Sequence, residues 1–451
     1  MRESVATGEC CVRPVFRGGY VQREDPSEEA RLAGSSAGVF SAVLLAYVAL
    51  QTAGVAIIPV VTPFLQDRFT LSDAQIGLLT SAFALAVALV AIPMGLASSR
   101  WGGATLFAAA GLFVAGSLVL AAAGSYEGLL IGRFIQGLGA GAGIPVGTAL
   151  ITRFVAPGWR HRAFGLFGAG TGVGTVLTLL IMPSVAAAGG YRAVFVTAAL
   201  IAVALAAAVA SQRALRSWPA HAEGPDVRGL VRALGRAVTS GRVLLVAVVN
   251  FTTLGVVVGI LTWTPQFLHD QYGTTLAAAA YLTAAIGLAQ IVGNPLGSLA
   301  MTRWGKARVL VVGLALTALT TALVPTGFGI AFSFAAVLSA VLISGAVFPP
   351  SLAVVGDVAH GNEAVGATTG LIGLTNVIGS VIAPWAFGTL LDTYGTAPGE
   401  SGYTAGWIML AGFAGAGALG AVGYALLRRR QGVQVQPSRA RSGVRQDLDS
   451  H

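Results

Sequence analysis

Three residues in an otherwise apolar stretch are spaced to act together. Arg133, Gln136 and Gly137 lie at i, i+3 and i+4 within Tyr126–Val155, so on a helix they share one face. The chemistry within their reach is electrostatic: a permanent cation beside an amide that both donates and accepts. An arginine inside an apolar span costs about 2.5–3.5 kcal/mol on insertion scales, and such residues face a bundle interior or a wet cavity. Gly137, Gly139, Gly141 and Gly143 form two overlapping small-xxx-small pairs around it. In a bilayer such pairs let helix backbones approach closely. The stretch therefore reads as a membrane span packed among other spans, carrying a cation that something must solvate.

Other polar side chains fall at mid-membrane depth. They are Gln51 with Thr52, Asn250 with Thr252 and Thr253, Gln290 and Asn294 at i and i+4, and Asn376 with Thr375. Gln51, Gln136, Asn250, Gln290, Asn294 and Asn376 are the candidates for hydrogen bonds to a solute. The competing reading is interhelical hydrogen bonding, worth about 0.6 kcal/mol each. Arg133 has a competing reading too, as a side chain reaching the outer interface from a depth of about 10 Å. Trp263 and Trp385 are placed either to stack on a ligand or to anchor the span at the interface.

Absences narrow the class. Glu127 and Asp357 sit at helix ends, and no acidic residue is expected deep in a span. The five histidines fall in loops or tails, and Cys10 and Cys11 are adjacent in the N-terminal tail. No catalytic or metal-binding spacing results, and no phosphate-binding G-x-x-x-x-G-K-[ST] is present. An enzyme is not expected, and neither is a cofactor or a metal.

The elements that must position these residues are membrane helices. Of 451 residues, 55% are hydrophobic and 10% charged, against roughly 25% charged in soluble domains. Net charge is +9, but the arginines lie between apolar runs and in the tails, which argues against a nucleic-acid partner. Twelve apolar segments are each long enough to span. They centre near Gln51, Val87, Val114, Gly139, Val176 and Ala202, then near Gly255, Gly287, Ala315, Ala340, Val377 and Ala416. The predicted organisation is a cytoplasmic tail (1–37), a six-helix half (38–212), a cytoplasmic linker (213–242), a second six-helix half (243–427) and a cytoplasmic tail (428–451). Arginines concentrate in alternate short loops, at Arg100, Arg153, Arg160, Arg162, Arg303 and Arg308 and in the linker. The positive-inside rule then puts both termini in the cytoplasm. The loop bearing Asp357, His360 and Glu363 lacks basic residues and is the exception.

The chain repeats itself. Gly95-Leu-Ala-Ser-Ser-Arg100-Trp101-Gly102-Gly103 follows the second span, and Ser298-Leu-Ala-Met-Thr-Arg303-Trp304-Gly305-Lys306 follows the eighth. Two matching halves suit an alternating-access transporter. These residues resemble the major facilitator superfamily along the whole run of spans. Arg133, Gln136, Gly137 and Gly139 match its span-4 pattern R-x-x-Q-G-x-G. Gly95, Arg100 and Gly102 match its loop after span 2, G-x-x-x-D-R-x-G-R, although Ser99 replaces the aspartate and Gly103 the last arginine. The second copy keeps Arg303, Gly305 and Lys306 but has Thr302 in the acidic position. Gly190-Tyr191-Arg192 with Phe195, and Gly388 to Gly395 with Asp392, resemble its span-6 entrance and span-11 exit. The span-5 antiporter signature is not matched beyond Gly174.

The resemblance implies an all-α fold of two pseudo-symmetric six-helix halves, with spans 1, 4, 7 and 10 lining a central site. It implies gating or coupling roles for Arg133, Arg100 and Arg303. The expected function is secondary transport of a small solute, with the balance toward an organic or inorganic anion and protons as the coupling ion. The alternatives are a drug or metabolite exporter and a non-transporting membrane sensor. The expected partners are the solute and the lipid bilayer, and the expected state is a monomer in the cell membrane.

Overall fold

The computed structural model describes residues 36–101, 104–143, 146–147, 151, 160–211, 235, 239–355 and 362–434. Every element is helical, as a lipid-embedded backbone requires when it must satisfy its own hydrogen bonds. In order they are α1 (Ser36–Phe69), α2 (Asp73–Trp101), α3 (Ala104–Ala122), α4 (Tyr126–Ala140) and α5 (Arg160–Ser211). After the linker come α6 (Gly241–Tyr272), α7 (Leu276–Trp304), α8 (Lys306–Leu323), α9 (Ile330–Ala353), α10 (Asn362–Tyr394) and α11 (Gly402–Gln434). Among the described residues, nine helices are long and apolar enough to cross a membrane.

The segments predicted around Val176 and Ala202 are two helices that meet at a kink, and they carry the single label α5. It bends at Gly189 and Gly190, where φ/ψ are −145°/15° and 67°/−166°. The second pair lies in a region only glycine adopts readily, so the bend is fixed by sequence and α5 contributes two arms. Two predicted boundaries also move. Arg242 belongs to α6 rather than to the linker, and Arg428–Arg430 continue α11 rather than opening the tail. Of the linker only 235 and 239–242 are described, and residues 1–35 and 435–451 of the tails lie outside the described residues.

The two halves repeat in space as they do in sequence. α1 packs on α5 as α6 packs on α10, and α2 on α4 as α7 on α9. α3 packs on α4 as α8 on α9, and α3 on α5 as α8 on α11. The halves meet through α2 against α10 and through α5 against α7, with a smaller contact of α1 on α6. Glycines bring these elements together. A Cβ on Gly287 of α7 would lie 2.6 Å from Val176 Cγ2 and 2.9 Å from the Gly172 carbonyl of α5, so nothing larger fits there.

Several loops gather at one end of the bundle. Tyr126 at the start of α4 donates to the Gln75 carbonyl near the start of α2 (3.2 Å), and Tyr191 to the Ala123 carbonyl (3.2 Å). Gln271 donates to the Thr396 carbonyl (2.8 Å), tying the ends of α6 and α10. Among the described residues, the inter-half hydrogen bonds lie toward this end. Gln266 bonds Asp73 (3.0 Å), Asp73 and Ala74 bond Asp392 (2.8 and 2.9 Å), Ser184 bonds Tyr281 (3.1 Å), and Ser81 bonds the Val381 carbonyl. This is the sealed end.

Candidate functional site

The glycine ladder of α4 divides its work between two neighbours. Gly137 and Gly141 face α2, where added Cβ atoms would lie 2.8 Å from Ala86 Cβ and 2.9 Å from Val87 Cα. Gly139 faces α3, with Phe113 Cα at 2.9 Å. The small residues thus draw α4 into the groove between α2 and α3, and Arg133 is carried into it.

Arg133 has no exposed surface. It does not extend to the interface, which removes the reading of a side chain reaching water from 10 Å depth. Its Nε donates to the Leu79 carbonyl of α2 (3.2 Å), and its Nη1 donates to Gln136 Oε1. The guanidinium lies over the Phe83 ring, 4.5 Å from the centroid, in a cation–π arrangement. Gln136 passes the connection on, donating to Ser117 Oγ of α3 (2.9 Å). Arg133 Nη2 has no hydrogen-bond partner. Among the described residues, the partners of the cation are a carbonyl, an amide and a ring, and none of them is a carboxylate.

Helical phase locates three of the predicted amides. At 100° per residue, Leu288, Val292, Leu296 and Leu299 fall on one side of α7, and all are exposed on the outer surface. Gly287 faces α5, while Gly293 and Gly297 face α9. Gln290 and Asn294 fall between those two contacts, opposite the exposed stripe, and both are half-buried. On α10, Leu374, Ile378 and Trp385 make the exposed stripe. Asn376 falls opposite it, half-buried, with a buried Oδ1 that has no partner. These three amides face the bundle interior from two elements of the second half.

The remaining predicted residues are placed otherwise. Asn250 is buried and donates to the Val246 carbonyl (2.9 Å) and, across to α9, to the Ser351 carbonyl (3.3 Å), while its Oδ1 has no partner. Arg303 is exposed at the end of α7. Gln51 and Arg100 lie on the described backbones of α1 and α2, but their side chains are outside the described residues. Of the two tryptophans, Trp263 meets neither expectation. Trp263 is fully buried, stacks on Phe387 with centroids 5.5 Å apart, and donates from Nε1 to the Pro384 carbonyl (3.0 Å). It is a packing residue between α6 and α10. Trp385 stands on the exposed stripe of α10.

The sequence reading missed the polar cluster at the sealed end. It gave Asp73 no role and named Asp392 only within the resemblance to the family's span-11 exit. Asp73 is buried and accepts from Gln66 of α1 (2.8 Å) and Gln266 of α6. Asp270 of α6 accepts from the Tyr403 hydroxyl of α11. Below them Phe267, Tyr403, Trp407 and Phe387 form edge-to-face contacts. One signal was legible: Ser72 and Gln75 have capping-box spacing at the start of α2.

A helical membrane bundle of two repeated halves, joined along two symmetry-related interfaces and sealed at one end, is the architecture of an alternating-access carrier. The family model of the Major Facilitator Superfamily matches residues 40–288 and 266–448. The chain belongs to this superfamily. It is 26% identical over 364 residues to the hexuronate transporter of Bacillus subtilis (strain 168), covering 75% of this chain and 84% of that one. It is 28% identical over 278 residues to the "Probable nitrate/nitrite antiporter NarK1" of Thermus thermophilus, covering 58% and 61%. The fold is similar to the crystal structure of a bacterial homologue of the human lysosomal transporter Spinster, in an inward-facing and unoccupied conformation. That likeness has a TM-score of 0.66 at 18% identity and covers 90% of this chain and 98% of that one.

Proposed function

We propose that this chain carries a small organic or inorganic anion across the membrane by alternating access, with protons as the coupling ion. The observation that carries the anion reading is Arg133. A fully buried guanidinium with, among the described residues, an unpartnered Nη2 and no carboxylate partner leaves uncompensated positive charge in a low-dielectric core, and such charge attracts anions and repels cations. The names of the two relatives support this, since hexuronates, nitrate and nitrite are all anions.

In this reading Gln290, Asn294 and Asn376 supply the solute's hydrogen bonds from the second half. Gln136 holds Arg133, and Asn250 ties α6 to α9. The sealed end faces outward, with both termini in the cytoplasm, as the arginine-rich loops suggest. Importing an anion against an inside-negative potential costs about 2.3 kcal/mol per charge per 100 mV. A co-transported proton offsets that cost, which is the physical reason for the coupling.

The test is solute-induced stabilisation of the purified protein against a panel of hexuronate, nitrate, neutral sugars and amphiphilic cations. Binding raises the melting temperature by mass action. Stabilisation by an anion, weakened in Asn294→Ala and Asn376→Ala, is expected. Stabilisation by amphiphilic cations alone would replace this reading with that of an exporter of such compounds.

A further inference from the structure

The first turn of α2 is satisfied partly by its own chain and partly by the opposite half of the molecule. Ser72 and Gln75 form a reciprocal capping box: Gln75 N–H donates to Ser72 Oγ (3.3 Å), and Ser72 N–H donates to Gln75 Oε1 (2.9 Å). That leaves the N–H groups of Asp73 and Ala74, two of the donors a helix start cannot satisfy internally. Both are taken by Asp392, at the far end of α10. Its Oδ1 accepts from Asp73 N–H at 2.8 Å and its Oδ2 from Ala74 N–H at 2.9 Å. A carboxylate at a helix N-terminus also gains from the helix dipole.

The approach that makes this contact possible is built into both helices. A Cβ on Gly388, one turn before Asp392, would lie 2.9 Å from Ala74 Cα and nearer still to the Asp73 carbonyl. Asp73 adds a second tie, since its own carboxylate accepts from Gln266 of the second half and Gln66 of the first. A negative side chain beside Asp392 would by itself repel it; the α2 N–H groups and the two amide donors occupy the space between them instead.

We propose that Asp392, through its two-oxygen cap on α2, is the latch that holds the sealed end shut. It rests on the alternating-access reading, because only in a molecule that opens at this end is the contact one that must break. The cap needs both charge and two acceptor oxygens. Asp392→Asn keeps the shape but turns an NH2 group toward a backbone N–H. Asp392→Glu keeps the charge and both oxygens on a chain one methylene longer.

The test measures the distance across the sealed end without any solute. Spin labels are placed at Arg68→Cys on α1 and Thr393→Cys on α10, both exposed, in a Cys10→Ser, Cys11→Ser background in lipid nanodiscs. Pulsed dipolar spectroscopy then reads the ratio of long to short separations. A predominantly short population with a small long component is expected with Asp392 intact. Asp392→Asn and Asp392→Ala are expected to raise the long-to-short ratio about two- to fivefold, the scale of an exposed charge–dipole contact, and Asp392→Glu to stay close to the parent. An unchanged distribution in Asp392→Asn, or an equal shift in Asp392→Glu, overturns the latch. Because no solute or transport is involved, that failure would leave the anion reading standing, and failure of the anion reading would not alter the distances.

Discussion

Gln136 accepts from Arg133 Nη1 one turn away on α4 and donates in turn to Ser117 of α3, so a single amide both steadies the buried cation and ties it to a neighbouring helix. The pair explains why the span-4 pattern needs these two residue types at this spacing. The amide can match the guanidinium without neutralising it, and the charge is preserved inside the protein. Replacing Arg133 with methionine, of similar reach and no charge, removes a burial cost of about 2.5–3.5 kcal/mol. The melting temperature of Arg133→Met is expected to hold or rise while anion uptake into proteoliposomes falls at least tenfold. Parallel loss of both would make the cation a structural element.

Gln136→Glu tests the same charge from the other side. It places a carboxylate against Arg133 Nη1, and an opposite charge at hydrogen-bond distance stabilises a buried cation. A higher melting temperature with lower anion uptake is expected, measured by thermal unfolding and radiolabelled flux on one preparation. Unimpaired uptake would show that the free positive charge plays no part.

Trp263→Phe separates packing from ligand contact. The variant keeps the stack on Phe387 and loses the hydrogen bond to the Pro384 carbonyl, at a cost of about 0.5–1.5 kcal/mol. A modest fall in melting temperature is expected with an unchanged KM for the solute. A raised KM with unchanged stability would return Trp263 to the binding site.

Gly190→Ala probes the bend of α5. With φ at 67° and ψ at −166°, a side chain there is strained by about 1–3 kcal/mol. Although nothing within 4 Å would touch the new Cβ, the melting temperature is expected to fall by several degrees. No change would show that the arms can rejoin at another residue.

The sequence carried the fold because membrane helices announce themselves locally. A run of twenty apolar residues and an arginine-rich loop are each visible without knowing what packs on what. The Arg-Trp-Gly repeat at Arg100 and Arg303 declared the two halves, and the burial of Arg133 followed from the glycines around it. The phase of Gln290, Asn294 and Asn376 was partly legible too, since a helix of known lipid face fixes the opposite one. What could not be read was anything depending on contact between the halves. Asp392 and Asp73 are far apart in sequence, and a carboxylate in the last turn of a helix looks like any loop-side acid until the other half supplies its donors. Trp263 was not placed for a related reason: its partner, the carbonyl of Pro384, lies on a different helix.

The most direct test of the anion reading is proton movement in proteoliposomes loaded with a pH-sensitive dye, on adding hexuronate or nitrate outside. The account predicts acidification of the lumen that follows the anion and is lost in Arg133→Met. Acidification that persists in Arg133→Met, or a response only to amphiphilic cations with protons leaving against them, would contradict it.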